Sequence, residues 1–198
     1  MARALVPGKA RRGGRRRVLM ALFVLTAAAV PARAQMFYTE VREYYDIRGE
    51  AMAELRAEIE RLGPGEFAAY VKAAVNARYQ FRYTSSECWL TSSRVDVEVT
   101  YLMPRWVGPA GPSEELREAW RHYWLALKRH EDGHKRNWLR AGTAIQDALR
   151  VLPAEATCEA LRKLADAAVK RLMERHRRHD EDYDRRTDHG RNQGTAIR

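Results

Sequence analysis

The chain has 198 residues and a formal charge of +10, which on its face suggests a nucleic-acid or membrane partner. Eight basic residues (Arg3, Lys9, Arg11, Arg12, Arg15, Arg16, Arg17 and Arg33) and no acidic residue fall within positions 1–34, so removing them leaves 10 − 8 = +2 for the rest. The basic balance belongs to the N-terminal segment, which excludes nucleic acid as the expected partner, and the 164 residues that follow suffice for one domain but not for two ordinary ones.

In chain order, the first 34 residues have the three parts of a secretory signal. A basic region ends at Arg17, an apolar run extends over the 13 residues from Val18 to Val30, and Ala32-Arg33-Ala34 supplies an A-x-A cleavage site. The apolar run is short of the roughly 20 residues needed to span a bilayer, so no stable membrane insertion is expected after cleavage. An uncleaved N-terminal anchor is the competing reading, and the arginine run leaves open whether export follows the general or the twin-arginine route. The expected mature chain is a single domain, residues 35–198, exported to the periplasm or beyond. Cys88 and Cys158 are its two cysteines, and an even pair in an exported protein is most simply a disulfide.

Tyr38 to Arg48 is rich in aromatic and β-branched residues and reads as a strand ended by Gly49. Ala51 to Leu62 follows at helical spacing and stops at Gly63-Pro64-Gly65. Two alternating runs then predict an antiparallel hairpin: Val75 to Tyr83, and Val95 to Tyr101 with Pro104 as its stop. Ser113 is the natural N-cap of a long helix running towards Leu152, with Glu114 and Glu115 in its first turn. Gly133 and Gly142 lie inside that helix, where each costs about 1 kcal/mol relative to Ala, so each implies a close approach by another segment. A second helix starts near Thr157 and turns Cys158, Leu161, Ala165, Ala168 and Leu172 inward. The expected fold is α+β: a small antiparallel β-sheet packed against a long helix and a second, C-terminal helix.

The long helix carries His130-Glu131-Asp132-Gly133-His134. Residues four apart share a helical face, so His130 and His134 can direct two imidazole nitrogens at one metal ion. Glu131, one step round, can reach a water at that metal without being a ligand. Both histidines lie on the stripe of Leu116, Trp120, Tyr123, Leu127, Trp138, Ala141, Ile145 and Leu149, which faces the core. The bland alternative is a pair of hydrogen-bonded core histidines. A zinc site needs a third ligand, and position 140, where a metzincin pattern would place histidine, is Arg140. His189, in the glycine-containing segment 183–195, is the best candidate, with Asp188, His179, His176 and Glu159 behind it. That segment is expected to form a C-terminal loop completing the site. Tyr183 or Arg185 is a candidate donor to an oxyanion, and Asp184 or Asp188 a candidate to orient a ligand histidine.

These residues resemble those of the domain of unknown function 922 family. The matching stretches are Tyr45-Asp46-Ile47-Arg48-Gly49, the two cysteines, the histidine helix, and Tyr183-Asp184-x-x-Thr187-x-His189-Gly190-x-x-Gln193-Gly194. Thr195 departs from the alanine expected after Gly194. The resemblance implies a secreted zinc-dependent protease and supports treating the C-terminal segment as part of the site, but supplies no substrate. The expectation is therefore a metallopeptidase acting on a peptide or protein, with Zn2+ on His130, His134 and His189 and Glu131 as general base. The rivals are a non-catalytic exported zinc-binding protein, closed by four protein ligands, and an interaction domain with no metal. Trp89 and Trp106 are candidates to line a peptide groove.

Overall fold

The computed structural model describes residues 33–195; the expected signal segment falls, up to position 32, outside the described residues. The elements in order are β1 (Arg33–Ile47), α1 (Met52–Leu62), β2 (Tyr70–Tyr83), β3 (Cys88–Trp106), α2 (Glu114–Arg150) and α3 (Cys158–Thr187), with a final 3-10 turn over Arg191–Gln193. The strands form one sheet in the order β1-β3-β2. β2 and β3 make the expected antiparallel hairpin, with Val75 opposite Val97 and a register irregularity at Gln80/Phe81.

β1 corrects the expectation of an antiparallel sheet. It lies parallel to β3, with Met36 opposite Val95 and Glu40 opposite Val99, so the sheet is mixed. Two elements intervene between β1 and β3, and only the turn between β2 and β3 fixes a strand direction locally. β3 also runs through Pro104 to Trp106. Pro104 pairs with Tyr45 of β1 but lies past Leu102, the last residue of β3 that pairs with β2. There β3 has one neighbour, which is where a strand tolerates a residue without an N–H.

Alternation along β3 gives the sheet one buried face. Val95, Val97, Val99, Tyr101 and Met103 are buried and join Tyr123, Leu127, Ile145 and Leu149 of α2 in a single core. α2 starts where expected: the Ser113 hydroxyl accepts a hydrogen bond from the Leu116 amide (3.2 Å). Gly142 lets α2 lie close against the sheet, since a Cβ there would collide with Val97 and Met36. Thr157 caps α3 in the same way, accepting from the Ala160 amide at 3.1 Å. Cys88 and Cys158 are disulfide-bonded with Cα atoms 5.1 Å apart, tying the start of β3 to the start of α3. No helix among the described residues is long and apolar enough to cross a membrane.

The largest departure concerns α3. Its charged second half stays helical to Thr187, so Tyr183 and Asp184 belong to its last turns and not to a loop. The loop is confined to the residues after Thr187. Asp188, His189 and Gly190 follow one another in the left-handed region (φ 49°, 49° and 83°), a reversal that sends the chain back towards α2.

Candidate metal centre

α2 presents His130 and His134 one turn apart, both buried, with Glu131 buried beside them. α3 packs alongside and brings Asp184 against the pair. His130 Nε2 lies 3.3 Å from His134 Nε2, and Asp184 Oδ1 lies 3.2 Å from the first and 3.0 Å from the second. The three atoms form a nearly equilateral triangle. Tetrahedral ligands about 2.0–2.1 Å from a zinc ion stand roughly 3.3 Å from one another, so the donor set fits such an ion in both chemistry and spacing.

The opposite ring nitrogens are each held by a named partner. His130 Nδ1 donates to Gln193 Oε1 at 3.0 Å, and His134 Nδ1 donates to Asp180 Oδ1 at 3.0 Å. Each bond places the proton on Nδ1 and turns Nε2 towards the triangle. Asp180 is itself steadied by Asn137, whose Nδ2 donates to Asp180 Oδ1 at 3.0 Å and to the His176 carbonyl at 2.9 Å.

Tyr183 completes this support. Its ring stacks on His130, with centroids 5.1 Å apart and planes 14° from parallel. Its hydroxyl donates to the His130 carbonyl and accepts from Gln193 Nε2, both at 3.2 Å. The residue expected as an oxyanion donor is thus engaged in holding His130 and Gln193. The same packing explains Gly133: any Cβ there would be driven into the Tyr183 ring. Gly190 is required twice over, by its positive φ and because a Cβ would come 3.0 Å from His130 Cγ.

His189, expected as the third ligand, stands outside the triangle. Its side chain is 49% exposed, its Nδ1 lies 4.0 Å from Asp184 Oδ1, and its ring rests on Phe67 at 5.5 Å. Of the other candidates, His176 bonds through Nδ1 to Asn137 Oδ1 at 2.9 Å, and Glu159 pairs with Lys163 at 2.7 Å at the far end of α3. His189 does share with the triangle a cavity of about 750 Å³, whose walls include Arg56, Glu60, Phe67 and Tyr70. Trp106 is packed edge-on against Trp120 at 6.1 Å and Trp89 pairs with Arg82 at the far end of the hairpin, so neither lines that cavity.

Electrostatics follow from burial. Glu131 is desolvated, which pushes its carboxyl up to about 7 against the opposing pull of the two histidines. Burial alone would lower His134, but hydrogen bonds and charge from Asp180 and Asp184 prevail and push it up to about 10. For Asp184, burial raises the pKa and the two imidazoles outweigh it, holding the carboxyl well below the usual range. Without a metal the cluster is thus held together by protons.

The profile of the bacterial protein family of unknown function DUF922 matches residues 42–190, about three quarters of the chain. The chain belongs to this family. The matched stretch includes every donor of the triangle and both cysteines; Gln193, which orients His130, lies just beyond it. No curated protein and no solved structure matches this DUF922 chain.

Proposed function

We propose that this DUF922 protein is an exported zinc-dependent peptidase. The observation carrying the proposal is the triangle of His130 Nε2, His134 Nε2 and Asp184 Oδ1 with a buried carboxyl, Glu131, one residue from a ligand. Two histidines, one carboxylate and an adjacent acid are the donor set of hydrolytic zinc sites that keep a fourth position open. When bound, zinc supplies Lewis acidity that polarises a carbonyl and makes water more acidic.

The chain's own residues do the rest. Glu131 takes the proton of the attacking water and returns it to the leaving amine. Its burial favours this role, because a desolvated carboxylate is a stronger base than a solvated one. Asp180 and Gln193 hold the ligand rings in one tautomer, and Tyr183 holds the backbone and ring of His130. A peptide substrate is supported by the cavity's border with the start of β2, which among the described residues is an edge strand of the sheet. Export is supported by the Cys88–Cys158 disulfide together with the leader-like sequence. No nucleic-acid partner and no lasting membrane insertion belong to this reading.

One observation favours a second reading. His189 lies close enough to the triangle for a side-chain rotation to make it a fourth ligand, closing the site as in a non-catalytic zinc protein. Incubating the zinc-loaded protein and its Glu131→Gln variant with a mixture of unfolded polypeptides separates the two. The peptidase reading expects cleavage products from the wild type, a loss of about 10²–10⁴-fold in the variant, and unchanged zinc content. Equal cleavage by both would remove Glu131 as the base; none by either would favour the closed site.

A further inference from the structure

On the other side of Asn137 from the histidine pair, α2 and α3 enclose a second cavity, of about 650 Å³, lined by Arg140, Arg175, Arg178, His176, His179 and Arg185 among others. Two carboxylates also line it, and both have partners outside the set Arg140, Arg175 and Arg178: Glu181 stands 3.9 Å from Arg177, and Asp182 binds Arg185 and Arg186. Among the described residues, Arg140, Arg175 and Arg178 make no ion pair. The charged tract of α3 therefore divides into a neutralised side and an unneutralised one, and the unneutralised side shares a concave site with Arg140 of α2. His176 feels the result. Burial and the positive charges of Arg175, His179 and Arg140 hold its imidazole below the ordinary range.

We propose that this cavity is a binding site for a multiply charged phosphate-type oxyanion, held by Arg140, Arg175 and Arg178. Guanidinium groups present forked N–H donors that match phosphate oxygens, and three of them from two helices suit a compact ligand of two or more negative charges better than a single carboxylate. None of the three arginines belongs to the metal triangle, and the site stands whether or not the protein is a peptidase. Because the arginines are exposed, binding weakens as salt rises.

Calorimetric titration of the full chain with inorganic pyrophosphate at low salt tests this, beside two variants. R140Q/R175Q/R178Q empties the cavity of its unpaired charge; R129Q/K170Q/R171Q removes the same charge from α2 and α3 outside it and leaves the partners of Glu181 and Asp182 in place. Both keep every arginine of residues 1–34. The expected result is one saturable site in wild type and in the second variant, and at least tenfold weaker binding in the first, with helix content and zinc content unchanged in both. Equal weakening in the two variants would reduce the effect to bulk charge and overturn the site, as would no saturable binding in wild type. Sedimentation with phosphatidylglycerol vesicles then assigns the source. Retention that pyrophosphate displaces and R140Q/R175Q/R178Q abolishes places the phosphate on a lipid headgroup; pyrophosphate binding without retention places it on a soluble compound.

Discussion

At the scale of single residues, the site is a set of rings fixed from behind. Gln193 and Asp180 bond the Nδ1 atoms and not the Nε2 atoms of the triangle, yet each decides which nitrogen of a histidine faces it. Replacing either (Gln193→Ala or Asp180→Asn) is expected to weaken zinc about 10–100-fold while leaving the fold intact, measured by competition with a chromophoric chelator. Unchanged affinity in both would mean that the rings are held by packing alone. Gly133 gives a sharper contrast. Glycine to alanine inside a helix ordinarily stabilises by about 1 kcal/mol. Here the added methyl meets the Tyr183 ring, so Gly133→Ala is expected to destabilise by about 1–3 kcal/mol. Combining it with Tyr183→Ala should cost less than the two changes summed, which a double-mutant cycle by chemical denaturation reads directly.

The residues legible from sequence were those whose geometry is set within one helix. The four-residue spacing of His130 and His134 fixes their common face whatever surrounds them. Asp184 reads from the sequence only as an orienter, because the segment from Tyr183 onward suggests a glycine-containing loop in which His189 is the better ligand. A signal was nonetheless present. The inward stripe Leu161, Ala165, Ala168, Leu172 continues at helical steps through His176, Asp180, Tyr183, Asp184 and Thr187, with polar side chains in place of apolar ones. Hydropathy hides such a stripe, since its burial is justified by partners on another helix.

At the scale of elements, the helices and the hairpin follow from local pattern, and the placement of β1 does not. Parallel pairing with β3 joins segments separated in the chain by α1 and β2, so no local turn dictates it. The extension of α3 matters more for the candidate site: one helix reaches from the disulfide at Cys158 to Asp184, the third donor of the triangle. The bridge closes a separation of 70 residues, worth about 4 kcal/mol on the chain-entropy account. Cys88→Ser/Cys158→Ser is therefore expected to lower the unfolding free energy by that amount, read by chemical denaturation. It should weaken zinc far less than Asp184→Ala does, because the α2–α3 contacts at the site remain. A stability loss below about 1 kcal/mol would show that the β3–α3 junction is held without the bond.

At the scale of the whole molecule, the cluster links stability to pH and to metal. His134 titrates near 10 in the folded metal-free chain against 6.5 as its ordinary value. The stability it contributes is full below 6.5 and is lost as pH rises through 10. Glu131, raised from 4.5 to about 7, acts in the same direction over its own lower range. Asp184, whose pKa is lowered, loses its contribution only in acid, below this window. The thermal midpoint of the metal-stripped protein is thus expected to fall as pH rises from 5 to 10. Zinc must displace the Nε2 proton of His134, so its affinity should rise with pH up to about 10, and the holo protein should lose less stability than the stripped one. Parallel pH profiles with and without metal would contradict this linkage.

The most direct measurement of the central claim is the zinc content of the purified wild-type protein, Asp184→Ala and His189→Ala, after saturation and removal of loosely bound metal. The structure predicts close to one zinc per chain in the wild type and in His189→Ala, and a near-complete loss in Asp184→Ala. Loss in His189→Ala with retention in Asp184→Ala would move the third ligand to the C-terminal turn, and no bound zinc in the wild type would contradict the metal centre itself.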